Sequence, residues 1–452
     1  MKRENFGSRT AVIFALAGSA IGLGNIWRFP YMVGEYGGAA FILVYIIATL
    51  LISLPIFIAE CIIGRGSGHN ALGAVKTLAR PKSRWRVLGV ISVLTPLIIV
   101  SYYGVVGGWS LDFFFRSCGL YFVKTPPEDT SGVFGSLISQ TWRPILWHTI
   151  FLLASITVVA GGVKGGIERF SKIAIPVLFL MIVFITVYSL TLPGAKEGVK
   201  YLVKPDWAKL TPKTCAYALG QSFFSLSLGM GIIITYSSYM KREENMLVTG
   251  VGTVVADLLF AILSGFAIMP AVFAAGIEPS AGAGLIFQTL PFTFSSMAQT
   301  MPVVSSVVAI LFFATILVAA LTSAVSLLEV GVAWLVEEKG LSRRRACAFI
   351  FFFTWLLGIL ASLSYGPLSG IKILGNVFFD LLDKFSSNFL LTAGACMVVL
   401  FVGWRMKKEA VRSEFTNGGI KKKNAACFEL LYFLIKYVAP VGVVVIFITN
   451  FL

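Results

Sequence analysis

The residues here that can do chemistry are oxygen-bearing side chains set inside apolar stretches. Thr322 and Ser323 are adjacent, directly after Ala319-Ala320-Leu321. Ser225 and Ser227 precede Gly229-Met230-Gly231, Asn25 follows Gly22-Leu23-Gly24, and Asp257 lies in the apolar run from Val254 to Met269. Hydroxyl, carbonyl and carboxylate oxygens suit a hard cation such as sodium, whereas sulfur and imidazole do not. Adjacent hydroxyls in a membrane helix also bond back to their own backbone, so Thr322-Ser323 alone leaves both readings open. A carboxylate in an apolar run is costly and marks function by default. Glu60 and Glu329 invite the same reading, with backbone N–H groups of a broken helix an equally good partner for Glu60. Covalent catalysis is not indicated: His69 and His148 fall in or beside loops, and no Ser-His-Asp or metal spacing exists. The six cysteines are scattered, mostly through apolar runs, and read as packing residues.

Helices that break must position these oxygens. Ala20-Ile21-Gly22-Leu23-Gly24-Asn25-Ile26-Trp27-Arg28-Phe29-Pro30 interrupts an apolar run from about Ala11 to Leu43. Glycine loosens a helix, proline removes a backbone donor, and lipid offers no replacement partner. Such a break is tolerated where it lines a cavity or a protein interior; a flexible kink is the alternative. A second interruption, Gln221-Ser222-Phe223-Phe224-Ser225-Leu226-Ser227-Leu228-Gly229-Met230-Gly231, sits at the matching position of a second set of helices. Paired interruptions point to a transporter site made from inverted repeats. Unwound backbone offers carbonyls to a cation, and half-helix N-termini offer N–H groups to a carboxylate.

The chain is 57% hydrophobic and 13% charged, with mean hydropathy +0.87, as in a polytopic helical membrane protein. No segment reads as a cleavable signal peptide. Eleven spans are expected, near 11–36, 39–63, 85–117, 146–163, 168–191, 212–240, 245–275, 301–337, 344–364, 375–404 and 426–451. They form one transporter domain over 1–452: a five-helix repeat at 11–191, a second at 212–404, and an extra helix at 426–451. The net charge of +16 comes from basic residues collected in alternate loops, which is topology rather than a nucleic-acid surface. That asymmetry places the N-terminus in the cytoplasm and the C-terminus outside. The partly apolar outer loop 276–300 reads equally as a re-entering lid or a surface loop, and 192–211 as an interfacial helix. The basic tail 405–424 sits at the inner leaflet, where anionic lipid attracts it.

The run Gly22 to Pro30 resembles the first-helix signature of the neurotransmitter:sodium symporter family. Glu60, the Tyr102-Tyr103 pair, Ser-Leu-Gly-Met-Gly and Leu-Thr-Ser follow in the matching order, over nearly the whole chain. The resemblance is to bacterial amino-acid members, and it implies an all-α LeuT fold, a five-plus-five inverted repeat with broken helices 1 and 6. The common pattern has twelve helices, whereas eleven are expected here. The implied first sodium site is the Ala20 carbonyl, Asn25, Ser225, Asp257 and the substrate carboxylate. The second is the carbonyls of Gly18, Ile21 and Ala319 with Thr322 and Ser323. The substrate carboxylate would meet Tyr103 and the amides from Gly22 to Gly24, and its ammonium the carbonyls of Ala20, Phe224, Ser225 and the Ser227 region. Its side chain would lie among Ile99, Phe224, Met230, Ala324 and Leu327, with Ser323 close by. Arg28 and Asp383 would form an outer gate, and Arg3 and Glu337, with Ser238 and Tyr239, an inner one. The implied function is sodium-coupled symport of a neutral, hydrophobic or aromatic L-amino acid across a bacterial inner membrane. Two sodium ions, no chloride, and proton counter-transport through Asp257 are expected. The competing class is a membrane sensor or channel with the same fold. No long signalling domain favours a sensor, and the polar groups converge at mid-membrane instead of forming a channel's continuous stripe.

Overall fold

The computed structural model describes residues 4–79, 82–130, 132–274, 276 and 285–449. It is all-α: among these residues the one extended pairing is an isolated bridge between Ile373 and Asn376. Nine helices are long and apolar enough to cross a membrane, and a tenth if the bent pair Arg9–Ala20 and Gly24–Glu35 is one span. The expected sixth span is two shorter helices, Pro212–Ser225 and Ile232–Ser237, so length and composition alone do not give eleven.

Both breaks have local causes. The first span stops at Ala20, Ile21 leaves helical geometry (ψ 101°), and the chain restarts 59° away. The restart is a π turn, Gly24–Arg28, ahead of Pro30, which supplies no N–H to the turn before it. In the sixth span, Ser227, Gly229 and Gly231 all have positive φ (55°, 80° and 69°), which no right-handed helix survives. Glycine is required at 229, because a Cβ there would lie 2.2 Å from the Leu391 carbonyl of the tenth span. Gly229 N donates to Glu60 Oε1 (2.7 Å), so the second span's buried carboxylate takes up a backbone donor freed by the break. Ser227 Oγ donates to the Ser19 carbonyl (2.9 Å), tying one break to the other.

At the N-terminal end of the bundle, Phe6 N donates to the Tyr239 carbonyl (3.0 Å) and its ring meets Tyr236 and Tyr239 edge-on. Nearby, buried Arg65 at the end of the second span (Ala39–Ser67) holds two connectors. Its Nε pairs with Glu414 Oε1 (2.5 Å), Nη1 donates to the Glu244 carbonyl (2.7 Å) and Nη2 to Asn417 Oδ1 (2.7 Å). Removing one partner of such a cluster strands the others. Arg65→Ala is therefore expected to cost about 3 kcal/mol, seen as a lower unfolding temperature of detergent-solubilised protein. Glu414→Gln, which keeps most of the acceptors, should cost less; equal losses would contradict this.

Two connections differ from a plain surface reading. Phe287, from the partly apolar outer loop, is fully buried and stacks on Phe134 with centroids 5.1 Å apart, so this loop folds back into the bundle. Helix Ala195–Val203, expected in the membrane interface, instead buries Ala195 and Leu202, and Tyr201 packs on Phe273 of the seventh span. Ala195 and Gly198 are small enough for close approach to the seventh span, where a Cβ on Gly198 would lie 2.5 Å from Pro270 Cα.

Candidate substrate and cation site

A cavity of about 610 Å³ lies between the two breaks and the third, eighth and tenth spans. On one side, three side chains distant in sequence converge. Asn25 Nδ2 donates to Asp257 Oδ1 (2.7 Å), and Ser225 Oγ lies 2.8 and 2.9 Å from the two Asp257 carboxylate oxygens. Asn25 Oδ1 accepts from Ser225 Oγ (3.3 Å) and from Gly22 N (3.4 Å). Gln221 Nε2 steadies the restart by donating to the Gly24 carbonyl (3.3 Å). Asp257 is wholly buried and faces neutral donors. This concentrates oxygen and negative charge with no cationic side chain among the described residues to balance it. Ala20 lines the same cavity.

A second oxygen cluster joins the first and eighth spans. Ser323 Oγ reaches the Gly18 carbonyl (3.5 Å), and Thr322 Oγ1 donates to the Ala319 carbonyl (2.9 Å). Thr322 thus bonds to its own helix while Ser323 crosses to the neighbour. Ile21, the first non-helical residue, follows Gly18 in the same turn.

Every expected substrate residue except Ala324 lines the cavity; Ala324 is buried behind it. Gly22 has no room for a side chain, since a Cβ would sit 2.9 Å from Ser323 Oγ and 3.6 Å from Tyr103 OH. The Tyr103 hydroxyl is buried and has no hydrogen-bond partner among the described residues. A buried polar group in that state costs free energy unless a ligand or water meets it. Ile99, Met230 and Leu327 supply apolar lining, and Phe224 lies under the Arg28 guanidinium, 5.6 Å from Cζ to the ring centroid.

Arg28 and Asp383 both line the cavity, and no ion pair joins them among the described residues. Asp383 Oδ1 accepts from Ser387 Oγ (3.0 Å), while Lys384 Nζ turns away to Asn376 Oδ1 (2.6 Å). Arg28→Ala is therefore expected to reduce substrate uptake several-fold more than Lys384→Ala; matching rates would remove Arg28 from the gate. At the other end, Arg3 lies outside the described residues. Glu337 Oε2 accepts from Asn70 N (2.8 Å) and Nδ2 (2.9 Å). Ser238 Oγ donates to the Thr235 carbonyl (2.5 Å) and Tyr239 OH to Glu329 Oε1 (2.8 Å). Glu329 also pairs with Arg343 Nη2 (2.5 Å), so this intramembrane carboxylate has a structural counter-charge and stands apart from the cavity.

Sequence reasoning missed the cavity's upper wall. Trp109 stacks on Phe379 (5.7 Å) and meets Phe134 edge-on (5.1 Å), and Tyr365 OH donates to Asp380 Oδ1 (2.6 Å). All five line the cavity. No local pattern marks them, because aromatic residues are common throughout the spans.

The sequence matches the sodium:neurotransmitter symporter family over residues 3–123 and 138–452. The chain belongs to that family. A solved structure, MhsT in complex with L-phenylalanine, is 40% identical, matches over 99% of this chain and 100% of its own, and superposes with a TM-score of 0.89. The sodium-dependent transporter YhdH of Bacillus subtilis is 36% identical over 456 residues, 99% of this chain and 97% of its own. The sodium-dependent neutral amino acid transporter B(0)AT2 of Bos taurus is 31% identical over 272 residues, 54% of this chain and 37% of its own. The family assignment makes this a multi-pass membrane transporter and not an enzyme. It also accounts for the LeuT-type fold with its broken first and sixth helices.

Proposed function

We propose that the protein imports a neutral L-amino acid with an apolar or aromatic side chain, driven by two co-transported sodium ions. The observation that carries this reading is the meeting of Asn25, Ser225 and Asp257 beside a cavity into which Tyr103 presents an unpartnered hydroxyl. One sodium takes the oxygens of Ala20, Asn25, Ser225 and Asp257 together with a substrate carboxylate oxygen. The other takes the carbonyls of Gly18, Ile21 and Ala319 with the hydroxyls of Thr322 and Ser323. The substrate carboxylate then accepts from Tyr103 OH and the Gly22–Gly24 amides, so substrate and first sodium each complete the other's site. Its side chain enters the space lined by Ile99, Phe224, Met230 and Leu327, none of which is charged; Met230 is flexible enough to repack around different groups. The L-phenylalanine in MhsT and the neutral amino acid transporters among the relatives support that substrate class.

Counting 212–240 as one broken span gives eleven, with spans 1, 2, 6 and 7 rocking against 3, 4, 5, 8, 9 and 10. Asp257 supplies the negative charge beside the first sodium, so chloride is not needed, and a proton replaces sodium there on the empty return. The setting is a bacterial inner membrane with the N-terminus inside. The test is uptake into proteoliposomes under a sodium gradient, with twenty amino acids as competitors. Phenylalanine, tryptophan, tyrosine or leucine should compete, and glutamate and lysine should not. Replacing sodium by potassium or lithium should abolish accumulation; equal uptake in potassium would defeat the proposal.

A further inference from the structure

The tenth span (Phe378–Arg405) and the last helix (Lys422–Thr449) meet at a point where both widen into π turns, Phe401–Arg405 and Leu434–Val438. π turns free carbonyls from the helical ladder and recur at functional sites. Here two carbonyls are used reciprocally. Trp404 Nε1 donates to the Lys436 carbonyl (2.9 Å), and Tyr432 OH donates to the Gly403 carbonyl (3.0 Å). Gly403 has no side chain to spare, since a Cβ would lie 2.9 Å from Lys436 Cα. This brace fixes the Lys436 side chain against three rings, with Nζ 4.9 Å from the Trp404 centroid, 5.5 Å from Tyr437 and 5.9 Å from Tyr432.

The lysine has no carboxylate partner within 4.0 Å among the described residues. Glu429, one turn below Tyr432, pairs with Lys408 (2.7 Å). Arg405, directly after Trp404, and Lys407, three residues on, add charge of the same sign. From Lys436 to Thr449 the helix is roughly 20 Å long, short of the ~30 Å hydrocarbon layer. With Thr449 at the far boundary, the Lys436 backbone lies about 10 Å inside the near one, and its side chain, which leans toward the helix N-terminus, extends toward that boundary, at the end that bears the connector helix Lys408–Thr416. Trp404 is 60% exposed, Phe433 52% and Tyr437 48%, and on a membrane span that exposed surface is lipid-facing. A fixed cation with no carboxylate partner that reaches from the hydrocarbon edge toward the headgroups, flanked by exposed rings that acyl chains can cover, matches a phospholipid with a net negative headgroup.

We propose that the notch between Gly403-Trp404 and Lys436 binds an anionic phospholipid, its phosphate held by Lys436 and Arg405 and its acyl chains lying along Phe433 and Tyr437. The proposal does not depend on what the cavity transports.

The full chain in detergent, given equal amounts of phosphatidylglycerol and phosphatidylcholine, should retain the anionic lipid at least about fivefold better by native mass spectrometry, as one basic side chain near a membrane surface implies. Lys436→Met should lower phosphatidylglycerol retention about fivefold, Lys436→Arg should restore it, and Lys372→Met, in the loop between the ninth and tenth spans, should leave it unchanged. Inorganic phosphate at the same concentration should not displace the lipid. Equal retention of the two lipids, native-like retention by Lys436→Met, or displacement by phosphate would overturn the assignment, leaving a lysine that merely extends toward water.

Discussion

Replacing Tyr103 by phenylalanine is expected to raise the substrate concentration for half-maximal uptake by about 10- to 100-fold, while sodium binding without substrate stays nearly unchanged. The magnitude follows from a hydrogen bond to an ionised group, worth roughly 1.5–3 kcal/mol. The Tyr103 hydroxyl is buried, lacks a protein partner among the described residues and stands 3.6 Å from where a Cβ on Gly22 would be. It therefore points at the unwound turn of the first span, where N–H groups are free to meet a carboxylate. Phenylalanine keeps the ring and its packing, so the variant removes one polar atom and little else. Saturation curves for amino-acid uptake check this, with binding of the decarboxylated amine as a control. The amine should bind poorly to the native protein and be indifferent to the substitution. An unchanged half-saturation constant in the phenylalanine variant would place the carboxylate elsewhere.

Much of the site was legible because its cost is local. Glycine, proline and polar residues inside an apolar run have no cheap explanation in lipid, and both runs that contain them do break, at Ala20 and at Ser225. The family pattern then carried Asn25, Ser225 and Asp257 to one point, and their mutual hydrogen bonds show that the fold brings them together. Nothing in sequence spacing places residue 25 beside residue 257; that closeness is tertiary. The carboxylates show the same limit. Glu60, Asp257 and Glu329 look alike as acids in apolar runs, yet one caps a broken helix, one faces the cavity cluster and one pairs with Arg343. Their partners lie far away in the chain, so no local rule separates them.

The outer wall was illegible for a different reason. Residues 118–145 are polar and proline-containing, which suggests only surface, yet Phe134 and Ile138 from a short helix, Gly132–Ser139, line the cavity. A few apolar side chains in a polar loop are unremarkable in sequence, and Phe134 is buried where Phe287 and Trp109 close over it. Likewise, Arg28 and Asp383 reach one cavity without pairing, which charge and spacing do not foretell.

Asp257→Asn is expected to raise the sodium concentration for half-maximal uptake by about tenfold or more and to remove the pH dependence of that requirement. Asparagine keeps an oxygen where Asn25 Nδ2 and Ser225 Oγ now donate, so the local geometry survives while the charge is lost. The charge matters because the carboxylate is fully buried among neutral donors. Such a group is tolerated when a bound cation or proton neutralises it. In the proposed cycle sodium serves in the loaded state and a proton on the empty return, so the two would compete for the same oxygens. The sign follows directly: lowering the external pH should increase the sodium requirement of the native protein, and raising it should relieve that competition until the carboxylate is fully ionised. The asparagine variant has nothing to protonate and should show one sodium requirement throughout. One helical turn further the chain has Ala261, so Asp257 is the acid available at this level of the seventh span. In that proposal it fills the role that chloride would otherwise have, and exchanging chloride for gluconate should leave the native rate unchanged. Sodium titrations at several pH values, in chloride and in gluconate, read all three effects in one experiment. A native rate that collapses in gluconate, or an asparagine variant with unaltered sodium and pH responses, would remove Asp257 from the coupling mechanism and leave it a structural brace between the first and sixth spans.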